Sequence, residues 1–539
     1  MEQVQYNHFG VMLDCSRDSV MKVSEVKKVI DLLEKMGYNT LELYTEDTYE
    51  IESEPYFGYM RGRYTGAELQ EIDAYAKAHG IELIPCIQTL AHLGTLLRQS
   101  EYATICDTDG ILLIDEPKTY ELIDKMFASL AKNFTSRKVN IGMDEAHMVG
   151  RGRFLDKFGF QDRYEIILRH LNKVLEIAKK YGFTPHMWSD MFFRPINNGA
   201  YHVDEKFEIP DELKKQIPEV ELVFWDYYHK VKKGYDDNLR AHQKLDKKVW
   251  FAGGAWAWDG FAPLNDLSLL TMKPAMESVV ELGIKDVLIT VWNDNGGECS
   301  FYSVLPSLYA IRQYADGNFD EAKIKQGFKE TLGFDYDDFM LLDIPNQMDK
   351  PFIYSDGQRL QQNPSKVLLY SDPFMGVKDA IYATIPEIPY GEYAKKLEAA
   401  SKRVGEYKYV FDMLSKLCQT LSYKARLGVN TREAYKKGDK ARLQSLISDY
   451  EQSAKHVKEL HETFFKLWEK ENKPFGWELH DKRLGGLSTR IETCKKRLQA
   501  YLNGETDKID ELEEEILPIE PKMHMQRFGY LGIITFGAY

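Results

Sequence analysis

The sequence predicts an α/β protein, a (β/α)8 TIM barrel followed by a C-terminal mainly α-helical domain. Three observations predict it. Strand-like runs alternate with amphipathic helical runs eight times, the helix-to-strand turns are short while the strand-to-helix loops are long, and beyond about Gln313 the alternation gives way to long helices. Parallel strands need crossover helices, and eight such units are what a closed barrel requires. A doubly wound open sheet is the alternative that the same alternation allows.

The strands are expected at Phe9 to Leu13, Thr40 to Tyr44, Glu82 to Ile87, Val139 to Met143, Thr184 to Trp188, Glu221 to Trp225, Val249 to Gly253 and Val287 to Trp292, runs rich in branched and apolar residues. Several are introduced by one junction, in which a helix stops at Gly and a hydrophobic residue follows: Met36-Gly37-Tyr38, His79-Gly80-Ile81, Tyr181-Gly182-Phe183 and Leu282-Gly283-Ile284. Gly there supplies a left-handed helix cap, and the next residue packs back on the helix. Long loops such as Thr45 to Thr65 and Gln88 to Glu116 then gather at the C-terminal ends of the strands, where a barrel carries its chemistry. The expected domains are residues 1–315 for the barrel, 316–390 as a connecting segment and 391–539 as the helical domain, with helices at Glu392 to Leu427, Lys440 to Glu471 and Trp477 to Leu502. The acidic run Asp510 to Glu515 reads as a solvated helix face, and the apolar end Phe528 to Tyr539 as a segment that docks on a neighbouring surface.

Composition narrows the function. A formal charge of −14 opposes binding to phosphate backbones or anionic membranes, so neither nucleic acid nor a membrane is expected as partner, and a neutral small substrate fits better. Six scattered Cys without a C-x-x-C pair read as reduced thiols, and no basic-apolar leader or long apolar span is visible, so the protein is read as cytoplasmic. His186, His202, His229 and His242 lack the i, i+4 spacing or Cys company of common zinc sites, so neither metal nor other cofactor is expected.

The sharpest local feature is Val139-Asn140-Ile141-Gly142-Met143-Asp144-Glu145, a buried-type strand running into two adjacent carboxylates. An isolated Asp-Glu pair is commonly a helix N-cap with acids near the dipole. Other strand ends reverse that weighting. Asp14-Cys15-Ser16-Arg17 closes the first strand, and Trp stands beside a carboxylate at Trp188-Ser189-Asp190, Trp225-Asp226-Tyr227-Tyr228, Trp256-Ala257-Trp258-Asp259 and Trp292-Asn293-Asp294. Indole walls with a few carboxylates and one Arg suit a sugar ring and its hydroxyls.

These residues resemble glycoside hydrolase family 20, the β-N-acetylhexosaminidases. Phe9 to Arg17 looks like that family's first strand, Asn140 to Glu145 is similar to its His-x-Gly-Gly-Asp-Glu, and Trp292-Asn293-Asp294 to its Trp-x-Glu. The likeness covers about residues 6 to 315 and departs at Asn140 for His, Met143 for Gly, Leu90-Ala91-His92 for Pro-Gly-His, and Asp294 for Glu. It implies an exo-acting retaining enzyme that releases terminal β-linked N-acetylhexosamine, GlcNAc or GalNAc, by letting the substrate's acetamido group attack. Glu145 is then the general acid and base, and Asp144 the ionised group beside the acetamido N–H. Arg17 and Asp294 hold sugar hydroxyls, and His92 stands near the pair. Trp188, Trp225 and Trp292 enclose the acetamido methyl, Tyr227 or Tyr228 bonds the acetamido oxygen, and Trp256 is counted with the substrate-binding residues. A conventional two-carboxylate glycosidase, with Asp294 or Asp259 as nucleophile, and a non-catalytic sugar-binding protein stay open. The helical half is read as either capping the barrel or pairing with a second copy in a homodimer.

Overall fold

The computed structural model describes residues 5–349, 364–518 and 530–535. Parts of the expected connecting segment and of the apolar C-terminal end lie outside these. Eight parallel strands form a closed barrel: β1 (His8–Asp14), β2 (Thr40–Glu46), β3 (Glu82–Ile87), β4 (Lys138–Asn140), β5 (Thr184–Trp188), β6 (Glu221–Trp225), β7 (Val249–Gly254) and β8 (Asp286–Val291). Neighbours in sequence are neighbours in the sheet, and β1 closes against β8 with Phe9 opposite Val287 and Leu13 opposite Val291. The barrel is therefore the predicted one, not the open sheet.

The helices that cross between strands are α1 (Val23–Met36), α2 (Gly66–Ala78), α3 (Pro117–Asn133), α4 (Arg163–Lys180), α5 (Lys232–Gln243), α6 (Asn265–Glu281) and, after β8, α7 (Leu305–Ala315). In α1, Val26, Val29, Ile30 and Leu33 are buried at helical spacing while Lys27 and Glu34 face outward. Gly37 ends it at φ 81°, with Gly37 N–H donating to Glu34 and Tyr38 N–H to Leu33, so that Tyr38 folds into the core.

Two strand ends differ from expectation by more than one residue, and both matter for the site. The second strand runs past Tyr44 to Glu46 after a register shift, which carries Glu46 to the rim. The fourth is shorter than Val139 to Met143: it stops at Asn140, because Gly142 and Met143 take left-handed backbone that cannot continue a pleat. Inside the barrel, Glu42 and His186 form a fully buried pair at 2.7 Å, His186 stacks on Trp250 at 4.5 Å, and Asn140 Nδ2 reaches Glu42 at 3.4 Å. Polar groups at this depth are tolerated only with such partners.

By internal contacts the chain divides into two compact units. One comprises Met1–Ala255, Ser268–Trp292 and Ser307–Ile324, and the other Trp256–Leu267, Asn293–Pro306 and Lys325–Tyr539. The second is helical, with α8 (Tyr390–Ser401), α9 (Lys408–Lys424), α10 (Leu427–Lys436), α11 (Lys440–Glu471) and α12 (Trp477–Leu502). A 3-10 turn at Gly405–Tyr407 interrupts the single helix expected from Glu392 to Leu427. Among the described residues, no helix is long and apolar enough to cross a membrane, and none of the six Cys is in a disulfide.

Candidate active site

Chain leaving β4 is held in an unusual path by its own side chains and by β3. Asn140 Oδ1 accepts the N–H of Gly142 at 3.0 Å, and Gln88, just past β3, accepts the N–H of Met143 through Oε1 at 3.1 Å. Gly142, Met143 and Glu145 all have positive φ, at 70°, 70° and 51°. A Cβ on Gly142 would lie 2.1 Å from Gln88 Oε1, so glycine is required there by space as well as by backbone. Left-handed non-glycine residues cost on the order of 1–3 kcal/mol each and persist where surrounding bonds enforce them.

That path turns Asp144 inward and leaves Glu145 outermost. Asp144 accepts from Gln88 Nε2 at 2.7 Å and pairs with His92 Nε2 at 3.1 Å. Burial works against its ionisation, but the His92 charge and the bonds from His92 and Gln88 outweigh it and hold the carboxyl below its ordinary value. The reciprocal effect pushes His92 up to about 9 despite burial, so an imidazolium and a carboxylate face each other at neutral pH. Glu145 is 43% exposed, with His92 Nε2 at 3.9 Å on one side and Arg194 Nη2 at 3.8 Å on the other. Its backbone N–H donates to Asp190 Oδ2 at 3.1 Å, and Asp190 is itself paired with Arg194 at 2.8 Å. Burial, with Asp144 adding like charge, raises the Asp190 carboxyl well above the usual range.

Three strand ends anchor Arg17. Its guanidinium meets Asp14 at 3.2 Å and Glu46 at 3.4 Å, and lies 5.8 Å from the ring of Tyr44 and 5.9 Å from that of Trp292. Tyr44 donates to Glu46 at 3.0 Å and accepts from Gln88 at 3.1 Å, so one chain of bonds runs from Arg17 to Asp144. Burial pushes Glu46 up to about 7, with Arg17 opposing.

The same unit carries an aromatic wall. Trp188 and Trp292 lie 5.9 Å apart, Trp292 Nε1 donates to the Tyr227 hydroxyl at 3.0 Å, and Tyr227 stacks on Trp225 at 5.6 Å and 18°. The indole N–H of Trp188 is buried with no hydrogen-bond partner. Tyr227 is buried while Tyr228 is half exposed. Of the expected residues, the first unit thus brings together Arg17, His92, Asp144, Glu145, Trp188, Trp225, Tyr227 and Trp292. Trp256 and Asp294 belong to the second unit, where Trp256 is buried and stacked on Trp258 at 4.3 Å and Asp294 is exposed. Sequence reasoning noted Asp190 as the carboxylate beside Trp188 but missed four others, Tyr44, Glu46, Gln88 and Arg194. The first three of those four sit at or just past the ends of β2 and β3, and a longer second strand would have flagged Glu46.

Residues 6–209 match the glycosyl hydrolase family 20 catalytic domain, and residues 337–530 the glycoside hydrolase 20C C-terminal domain. Hexosaminidase D of Bos taurus is 25% identical over 254 residues, covering 44% of this chain and 66% of that protein. Hexosaminidase D of Homo sapiens is 23% identical over 218 residues, covering 38% of this chain and 42% of that one. The chain therefore spans two thirds or less of the length of these relatives. Among solved structures, a family 20 exo-β-N-acetylglucosaminidase of Vibrio harveyi in complex with N-acetylglucosamine aligns at 18% identity and a TM-score of 0.48, covering 63% of this chain and 58% of that one.

Proposed function

Starting from the fact that the chain belongs to glycoside hydrolase family 20, we propose that it is an exo-acting retaining β-N-acetylhexosaminidase that releases terminal β-linked GlcNAc or GalNAc with help from the substrate's own acetamido group. The observation that carries this reading is the Asp144–Glu145 pair. One carboxylate is held ionised by His92 and Gln88, and beside it a second is open to an incoming leaving group.

In the first step the acetamido oxygen attacks C1 while the bond to the leaving oxygen breaks, and Glu145 gives that oxygen its proton. Asp144 accepts the acetamido N–H and balances the positive charge that grows on the amide, an electrostatic role suited to a charge fixed before the reaction. In the second step water attacks C1, the acetamido group is regenerated, and Glu145 takes the proton from water. This route needs no protein nucleophile, which distinguishes it from the two-carboxylate retaining mechanism with its carboxyls roughly 5 Å apart. Trp188, Trp225 and Trp292 are assigned to the acetamido methyl, and Tyr227, oriented by the Trp292 indole, to its oxygen. Arg17 is assigned to sugar hydroxyls.

The test is a panel of aryl β-glycosides with and without the 2-acetamido group. Aryl N-acetyl-β-hexosaminides should be turned over at least about 10³-fold faster in kcat/KM than aryl β-glucosides, because the glucosides lack the attacking group. Equal rates on both, or a fluorosugar ester trapped on a carboxylate of the chain, would overturn the reading.

A further inference from the structure

Beside the proposed active site, the first unit carries a second constellation of ligating atoms. Among the described residues, His202, Asp226 and His229 form the one group of three metal-ligating side chains whose donor atoms lie within 4.8 Å of one another. His202 stands in the long chain between β5 and β6, and Asp226 and His229 follow β6 directly.

The carboxylate of Asp226 is fully buried and divided in its duties. Oδ1 accepts the backbone N–H groups of Tyr228 at 2.9 Å and His229 at 3.2 Å. Oδ2 faces two imidazoles: it is hydrogen-bonded to Nδ1 of His229, and it lies 3.7 Å from Nε2 of His202. That second separation is too long for a hydrogen bond. Yet Nε2 of His202 is shielded from solvent and has no hydrogen-bond partner, a costly state for a ring nitrogen aimed at a carboxylate. Around a tetrahedral zinc ion, with nitrogen and oxygen ligands at about 2.0–2.2 Å, neighbouring donor atoms stand roughly 3.3–3.5 Å apart. The spacing between His202 and Asp226 therefore suits two groups sharing one ion better than two groups sharing one proton. Both imidazole side chains are 31% exposed, which leaves an approach from solvent and room for water on the ion.

We propose that His202, Asp226 and His229 bind a single divalent transition-metal ion of the zinc class. Two imidazoles and one carboxylate are the borderline ligand set that such ions prefer over calcium or magnesium, which take oxygen. The ion stands apart from the reacting atoms and acts on the wall. Asp226 lies between Trp225 and Tyr227 in sequence, and the neighbour of His202, Tyr201, accepts the backbone N–H of Trp225 at 3.2 Å and meets its indole at a tilt, with ring centroids 4.8 Å apart. One ion would thus tie the 189–220 loop to the β6 exit and fix the rings that enclose the substrate.

Untagged full-length protein is stripped with a chelator, reloaded with Zn²⁺, passed through gel filtration and assayed for metal by atomic emission. The wild type should retain about one equivalent per chain, and its Tm should rise by about 3 °C or more on reloading. H202Q and H229Q should each lose both effects. A wild type that retains no zinc, or variants that retain as much as the wild type, would overturn the proposal. If either variant fails to fold, Co²⁺-loaded wild type decides. Intense visible d–d absorption with imidazole coupling supports the site, and a spectrum like that of the hexaaquo ion overturns it.

Discussion

The two walls of the proposed active site are built on opposite physical plans. On the β3–β4 side, His92 and Asp144 carry charge with Gln88 and Glu145 beside them, His92, Met143 and Glu145 sit at positive φ, and the backbone N–H groups of Met143 and Glu145 are held by Gln88 and Asp190. On the β5–β6–β8 side, Trp188, Trp225, Tyr227 and Trp292 sit at ordinary backbone angles and are positioned by ring contacts and one indole–hydroxyl bond. The charged wall stores strain and electrostatic work, as reacting groups require, whereas the aromatic wall stores shape. The difference implies that small changes on the first side alter rate and pH dependence, and that changes on the second alter affinity.

The sharpest way to break this contrast is Asp144→Asn, which keeps volume and removes charge. It should lower kcat/KM on an aryl N-acetyl-β-glucosaminide by about 10³-fold with little change in Tm, and a drop below tenfold would remove Asp144 from the electrostatic role. Next is Gly142→Ala, which needs left-handed backbone and places a methyl against Gln88 Oε1. About 10²-fold in activity and about 2 kcal/mol of stability should be lost together in denaturant titration.

His92→Gln tests the charge pairing. Asp144 has a folded pKa below its ordinary value, so its pairing stabilises the fold above about pH 3.9 and that contribution disappears as pH falls through the folded value. Without the imidazolium the folded pKa rises, so the acid limb of the kcat/KM profile should move to higher pH and the rate should fall by about 10–100-fold. On the other wall, Trp225→Ala should raise KM by about tenfold while leaving the pH profile in place, a split that steady-state kinetics at several pH values reads directly.

The smallest effect is expected of Asp190→Asn. Its carboxyl is raised by burial and by Asp144, so the wild type loses stability through this group as pH rises from about 3.9 into the neutral range. The amide should abolish that slope in thermal melts while changing kcat by less than about threefold, since the bond to the Glu145 N–H can be kept by an amide oxygen.

Most of the barrel was legible in the chain, because a strand buried on both faces and an amphipathic crossover helix both write themselves as hydrophobic period. β3, β5 and β6 fall where the runs Glu82 to Ile87, Thr184 to Trp188 and Glu221 to Trp225 place them, and Lys440 to Glu471 and Trp477 to Leu502 are helices as read. The exits of β2 and β4 were not legible. A bulge after Tyr44 and left-handed turns at Gly142 and Met143 depend on partners such as Gln88 and Tyr44 that are distant in sequence.

Sequence alone therefore determined the architecture, the acidic character and the two adjacent carboxylates, since pattern and composition are local properties. Tertiary structure decided the rest. It fixed the His92 and Gln88 partners that hold the Asp144 carboxyl low, the seat of Tyr227 against Trp225 and Trp292, and how His202 comes to stand beside Asp226, because these depend on distances and burial that no spacing along the chain encodes.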